Sequence, residues 1–145
     1  MTCTEWTQWL HRSNILTNND RKHYHDKEYK AAKQALHTLG SVQQRKVGRL
    51  QRVRMDVSVA YPPRVYMDAA NLQATMKVYV DGMTSPTGKR VRELGFLQDD
   101  SDKFFSGPFI EWAGWPSGRE EWFAFRISLT ELDPWVKPDK PAWLK

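Results

Sequence analysis

Two segments of this chain alternate apolar and polar side chains, and this alternation constrains the fold more than any other feature. In residues 53–60, VRMDVSVA, every second residue is apolar, and prolines 62 and 63 follow. A period of two places alternate side chains on one face of a strand. Residues 119–129, REEWFAFRISL, repeat the pattern, with a predicted core face of Phe123, Phe125, Ile127 and Leu129. The sequence therefore predicts a sheet with one buried face.

Helical spacing appears in two further segments. Residues 23–40 carry apolar side chains at spacings of three and four, with Gly40 where a helix stop is expected. From about Ala70 to Met83 an apolar stripe predicts a second helix, formed by Leu72, Met76, Tyr79, Val80 and Met83. Residues 104–112 favour another strand, joined to the last one by a turn at 113–118. We expect one compact α+β domain over 1–145, with a small mixed sheet, two main helices and an undetermined strand order.

Two segments are expected to lie outside the core. Residues 84–94, TSPTGKRVREL, predict a flexible, exposed excursion, and residues 133–145 form a proline-rich tail with Trp135 and Trp143 as candidate docking anchors. No apolar run reaches the roughly 20 residues of a membrane span, and the N-terminus lacks a signal-peptide pattern. With a single cysteine, Cys3, no internal disulfide forms. We expect a cytoplasmic protein that does not engage a membrane.

The charge of the chain is positive and unevenly distributed. Its net charge is +5, and residues 43–54, QQRKVGRLQRVR, contain five cations and no acid. Such a cluster favours a polyanionic partner, although a small positive excess also occurs simply as a solubilising surface. If the partner is DNA, the candidate binding residues are Arg21, Lys22, His23, Arg45, Lys46, Arg49 and Arg52.

Acidic residues nevertheless collect around the second predicted helix. Asp68 precedes this helix, while Asp99 and Asp100 follow it in a later loop. Carboxylates from separated loops can hold Mg²⁺, or Mn²⁺ in its place, beside a phosphate and so activate water. The alternative for Asp68 is a helix N-cap, and for residues 99–102 an acidic turn.

Lys77 and Asp81 lie one helical turn apart. This spacing is usual for a surface ion pair. It also suits a lysine close to the scissile phosphate or the attacking water. Periodicity does not choose between these interpretations.

Three segments in this order resemble the RusA-type Holliday junction resolvases, especially versions associated with actinobacterial phages and prophages. They are LTNNDRKHYHDKEYKAAKQAL at 16–36, DAANLQATMKVYVDGM at 68–83, and GFLQDDS at 95–101. The resemblance implies a homodimeric, Mg²⁺-dependent endonuclease of the bacterial cytoplasm that cuts four-way DNA junctions symmetrically. Asp68 then matches the first catalytic aspartate and Asp100 the last, with Asp99 beside it and Lys77 as the family lysine.

One position departs from the family pattern. Better-known members carry a second aspartate where this chain has Ala70, so Asn71 or Asp81 would have to help hold the metal. Two alternatives to an active enzyme therefore stay open. The chain could bind junctions without cutting them, or it could be a phage protein that binds a host protein through the same fold.

Overall fold

A computed structural model describes residues 3–18, 26–47, 50–84 and 104–144. Two short 3₁₀ helices, Arg12–Asn14 and Ala69–Leu72, accompany the main elements. In chain order these are β1 (Cys3–His11), α1 (Lys27–Val47), β2 (Val53–Ala60), α2 (Gln73–Thr84), β3 (Phe105–Trp112) and β4 (Trp122–Glu131). The predicted α+β domain, with a mixed sheet and two main helices, is confirmed.

The four strands form one sheet in the order β1-β4-β2-β3. β4 is antiparallel to both β1 and β2, while β2 runs parallel to β3. The predicted core-face residues of the two central strands, β2 and β4, are at most 2% exposed, which confirms the alternation predicted for both. Their polar residues, including Arg54, Asp56 and Arg126, lie on the opposite and more open face.

The sequence did not predict β1. Of its residues only Leu10 is fully buried, so the strand carries little of the apolar alternation that marks β2 and β4. A polar contact joins it to the core instead. The Trp6 indole donates to the Tyr79 hydroxyl at 3.0 Å, and that hydroxyl donates to Gln8 Oε1 at 3.1 Å. Burial raises the pKa of Tyr79 to about 12, so its hydroxyl stays protonated and keeps donating at neutral pH.

Helix α1 corrects the prediction that a helix stops at Gly40. The helix begins at Lys27, after Asp26 accepts the Glu28 N–H at 3.0 Å, and it runs on to Val47. Gly40 is buried inside it because α2 crosses there. A methyl group on Gly40 would collide with the Tyr79 carbonyl oxygen and lie 3.0 Å from the Met83 nitrogen.

The crossing is close from the side of α2 as well. A methyl group on Gly82 would collide with the His37 carbonyl oxygen. Beside it, the Ser41 hydroxyl donates to the Gly82 carbonyl at 3.2 Å. The apolar stripe predicted for the second helix is confirmed, since its five members are each at most 2% exposed; Leu72 lies in the preceding 3₁₀ helix and the other four in α2. These two glycines serve close helix packing rather than chain reversal.

Of the two segments expected outside the core, the structure describes the C-terminal tail but almost none of the excursion after α2. Residues 85–103 lie outside the described ranges, so the excursion predicted at 84–94 stays a prediction, except that Thr84 ends α2. Residues 132–144 contain no helix or strand, and Trp143 is 79% exposed. Within the described part of the chain, no helix has the length and apolarity needed to cross a membrane.

Gly40→Ala tests the helix crossing. Alanine gains up to about 1 kcal/mol of helix propensity, but forcing a methyl group against backbone costs about 1–3 kcal/mol. We therefore expect a net loss of stability, measured as a lower midpoint of urea unfolding. Lys33→Ala, at an exposed position of the same helix, is the control and should change stability by less than about 0.5 kcal/mol. A Gly40→Ala protein as stable as the wild type would contradict the close crossing.

Candidate functional site

Asp68 stands at the N-terminus of the 3₁₀ helix that leads into α2. One carboxylate oxygen, Oδ1, accepts the Ala70 N–H at 3.1 Å, and the Asp68 carbonyl accepts the Asn71 N–H at 2.9 Å. Asp68 is therefore the N-cap of this 3₁₀ helix, as one of the two interpretations predicted. The side chain is also exposed, and Oδ2 accepts no hydrogen bond from the residues that the structure describes. That oxygen is left for a ligand.

The segment that follows β1 is fixed against this capping turn. Thr75 is fully buried, and its hydroxyl both accepts the Leu16 N–H at 2.8 Å and donates to the Leu16 carbonyl at 2.6 Å. Two residues later, the Asn18 side-chain amide donates to the Ala70 carbonyl at 3.3 Å. The beginning of the first resemblance segment thus lies next to the beginning of the second, 52 residues further along the chain.

Lys77 and Asp81 form the ion pair that their spacing allowed. The Lys77 ammonium lies 3.0 Å from Asp81 Oδ1, with both side chains substantially exposed. Such a pair contributes only a few tenths of a kcal/mol. In this pairing the ammonium reaches toward the C-terminal end of α2, away from Asp68. A role for Lys77 at a phosphate stays a prediction.

Asp81, one of the predicted metal ligands, lies toward the end of α2 that is remote from Asp68, and its role as a ligand stays a prediction. Asp81 lies eight residues beyond Gln73, the first residue of α2. The helical rise then places it about 12 Å along the axis from that residue. Oxygen ligands of one Mg²⁺ each lie about 2.1 Å from the ion. Asn71, within the capping turn itself, is the better placed of the two substitutes for the aspartate absent at Ala70.

Two predicted ligands lie in the segment after α2. Asp99 and Asp100 lie outside the described ranges, so their convergence with Asp68 stays a prediction. In the part of the chain that is described, no three His, Cys, Asp or Glu side chains are close enough to hold a metal ion. A site at Asp68 with three or more such ligands would therefore need residues outside the described ranges.

The predicted DNA-binding residues fall into three groups. Arg45 and Lys46 are exposed in the last turn of α1, where the helix dipole favours cations. Arg52 is half-buried and donates to the Asp133 carbonyl at 3.1 Å, so it holds the start of the tail. Its Nε is buried with no partner among the described residues. The third group lies outside the described ranges and comprises Arg21, Lys22, His23 and Arg49.

Sequence reasoning missed an apolar cavity beside Asp68. The loop at 61–67, the end of β3 and the β3–β4 connection line this open cavity of about 370 Å³. A 2.7 Å ion pair between Arg64 and Glu120 links its two walls. Tyr61 lines it, and burial, followed by the charge of Asp68, raises the pKa of its hydroxyl above the usual 10.0. Trp112, the last residue of a predicted strand and next to a predicted turn, was a sequence signal that could have indicated it, and it is 60% exposed.

Comparison of the chain with protein-family models and with curated proteins finds no match.

Substitutions at Thr75 test whether its two hydrogen bonds to Leu16 fix the segment at 15–18. Thr75→Val keeps the side-chain shape but leaves the buried N–H and C=O of Leu16 unpaired, which should cost about 2–3 kcal/mol. Thr75→Ser keeps the hydroxyl and loses one methyl group, which should cost about 1 kcal/mol. Urea unfolding of both variants should rank serine above valine in stability. The reverse order would show that packing, not the two hydrogen bonds, fixes this segment.

Proposed function

We propose that this protein is a Mg²⁺-dependent endonuclease that resolves four-way DNA junctions by paired, symmetric incisions. One observation carries the proposal: the contact between Asn18 and Ala70. The resemblance to RusA-type resolvases rests on segments that are far apart in sequence. Two of those segments meet beside Asp68, as the parts of a common site would.

The chemistry of the capping turn fits a bound Mg²⁺. This ion keeps several of its waters and is usually held by one or two carboxylates together with substrate phosphates. Asp68 supplies an exposed carboxylate with one oxygen unused by the described residues, and Asn71 adds an amide close by. In the proposed site Asp99 and Asp100 complete the set. The bound ion would supply a more acidic water and stabilise charge on the departing oxygen.

Charge supports DNA as the substrate. The net charge of +5 includes Arg45 and Lys46, which are exposed and suited to sequence-independent attraction to phosphates. In this proposal junction selectivity comes from the shape and deformability of the branched DNA. A homodimer with twofold symmetry would place two sites on the junction and so give paired cuts. A phage-encoded enzyme of this kind would act in the host cytoplasm, during recombination or DNA processing.

A second candidate is a junction-binding protein without catalysis. Two observations favour it: Ala70 replaces a family aspartate, and Oδ1 of Asp68 is already engaged as a cap. Such a protein would keep the cationic surface. It would differ from the enzyme only in lacking a metal-dependent cut.

Asp68→Asn tests whether the Asp68 carboxylate has a catalytic role in addition to its role as a helix cap. Asparagine caps helices about as well as aspartate, so the fold should be retained. Loss of a direct ligand should exceed the 10–100-fold effect typical of outer-shell changes, so we expect Mg²⁺-dependent cleavage of a labelled four-way junction to fall by more than about 100-fold. Binding of the junction should survive or tighten because a negative charge is removed.

Asp139→Asn, in the exposed tail, is the matched control and should cut like the wild type. Full activity of Asp68→Asn would contradict the site assignment. Binding without cleavage by the wild type would select the second candidate. Neither binding nor cleavage would rule out both.

A further inference from the structure

The cavity beside Asp68 has the lining of a site for a flat ring. Three aromatic side chains with broad planar faces, Tyr61, Tyr66 and Trp112, line it. The apolar pyrrolidine rings of Pro62, Pro63 and Pro116 lie among them. The volume of about 370 Å³ lies near the lower end of the range for small-ligand sites, roughly 300–1,000 Å³. It therefore suits one ring system rather than an extended ligand.

Two of these aromatic side chains are largely exposed to solvent, although large apolar rings are usually buried. Tyr66 is 91% and Trp112 60% exposed, although both border an apolar cavity. Exposed aromatic residues that border a concave apolar surface are typical of binding sites. The structure therefore presents aromatic faces ready to be covered.

Tyr61, one of the lining residues, also carries a polar group. The residue is 5% exposed, and its hydroxyl is buried with no partner among the described residues. An unpaired buried hydroxyl is costly, and most native structures avoid it. A ligand that offers a hydrogen-bond acceptor would satisfy it.

The cavity also borders the capping turn along the chain. Met67 lines the cavity, and Asp68 is the next residue. At the rim stands Arg64, whose partner Glu120 is itself well exposed. Exposed ion pairs of this kind are weak, so Arg64 can exchange its partner for a phosphate.

We propose that this cavity holds one unstacked nucleobase of the DNA strand whose phosphate lies at Asp68, with the base against Trp112 and hydrogen-bonded to the Tyr61 hydroxyl. The proposal rests on the function proposed above. A base combines flat faces with acceptors on its edge, which matches both features of the lining. Extruding a base costs less where its stacking on a neighbouring pair is already interrupted, as at the branch point of an open four-way junction.

The direct test uses deoxyadenosine monophosphate and the intact protein. In ¹H–¹⁵N spectra, millimolar nucleotide should shift the indole N–H signal of Trp112 but not that of Trp115, which is 77% exposed and does not line the cavity. Deoxyribose 5-phosphate, which has no base, should leave the Trp112 signal unchanged. Tyr61→Phe should retain the shift with a midpoint several-fold higher, and equal midpoints would contradict the hydrogen bond. An unmoved Trp112 signal, or an equal shift with deoxyribose 5-phosphate, would overturn the proposal.

Junction binding then separates this proposal from the function on which it rests. Trp112→Ala should raise the Kd for a four-way junction about tenfold, which is about 1.4 kcal/mol and within the range for one base stacked on an aromatic side chain. Trp115→Ala should leave the Kd unchanged. If the wild type cuts junctions while Trp112→Ala binds them equally well, the cavity proposal fails and the proposed function stands. If the wild type neither binds nor cuts junctions but the nucleotide shifts the Trp112 indole N–H signal, the cavity is a nucleobase site and the proposed function fails.

Discussion

The close crossing of α1 and α2 at Gly40 and Gly82 is the contact on which the rest of the structure depends. Both glycines place backbone directly against backbone, so neither position accepts a larger residue without moving a helix. This contact fixes α2 over the sheet, with Tyr79 reaching β1. The start of α2 is fixed with it, and that is where Thr75 binds the segment after β1 and Asp68 caps the turn.

Strong periodicity made much of the fold predictable. β2, β4 and the buried stripe of α2 follow directly from spacing, because each buries a regular set of apolar side chains. β1 was missed because an edge strand with one fully buried residue carries almost no such signal. Gly40 was misinterpreted because a glycine that ends a helix and a glycine at a helix crossing look identical in one sequence. Only the position of α2 tells them apart.

The candidate site divides in a similar way. The cap at Asp68 and the Lys77–Asp81 pair involve neighbours within one helical turn, so both were among the interpretations that the sequence allowed. The contact between Asn18 and Ala70 was not accessible to local reasoning, since 52 residues separate them. The cavity lies between the loop after β2 and the β3–β4 connection, and no sequence motif indicates it. The sequence thus indicated individual candidate residues, but the contacts between distant segments became visible only in the folded structure.

The central proposal is that the turn at Asp68 holds Mg²⁺ for catalysis even though Ala70 stands where the resolvases that the sequence resembles carry an aspartate. A Mg²⁺ titration of junction cleavage by the wild type and by Ala70→Asp, side by side, tests it most directly. We expect the wild type to cut, and the variant to reach the same rate at lower Mg²⁺, because the new carboxylate adds a hard oxygen ligand beside Asp68. Cleavage by the variant alone, with none by the wild type at any Mg²⁺ or Mn²⁺ concentration, would contradict the proposal and make the natural protein a junction binder.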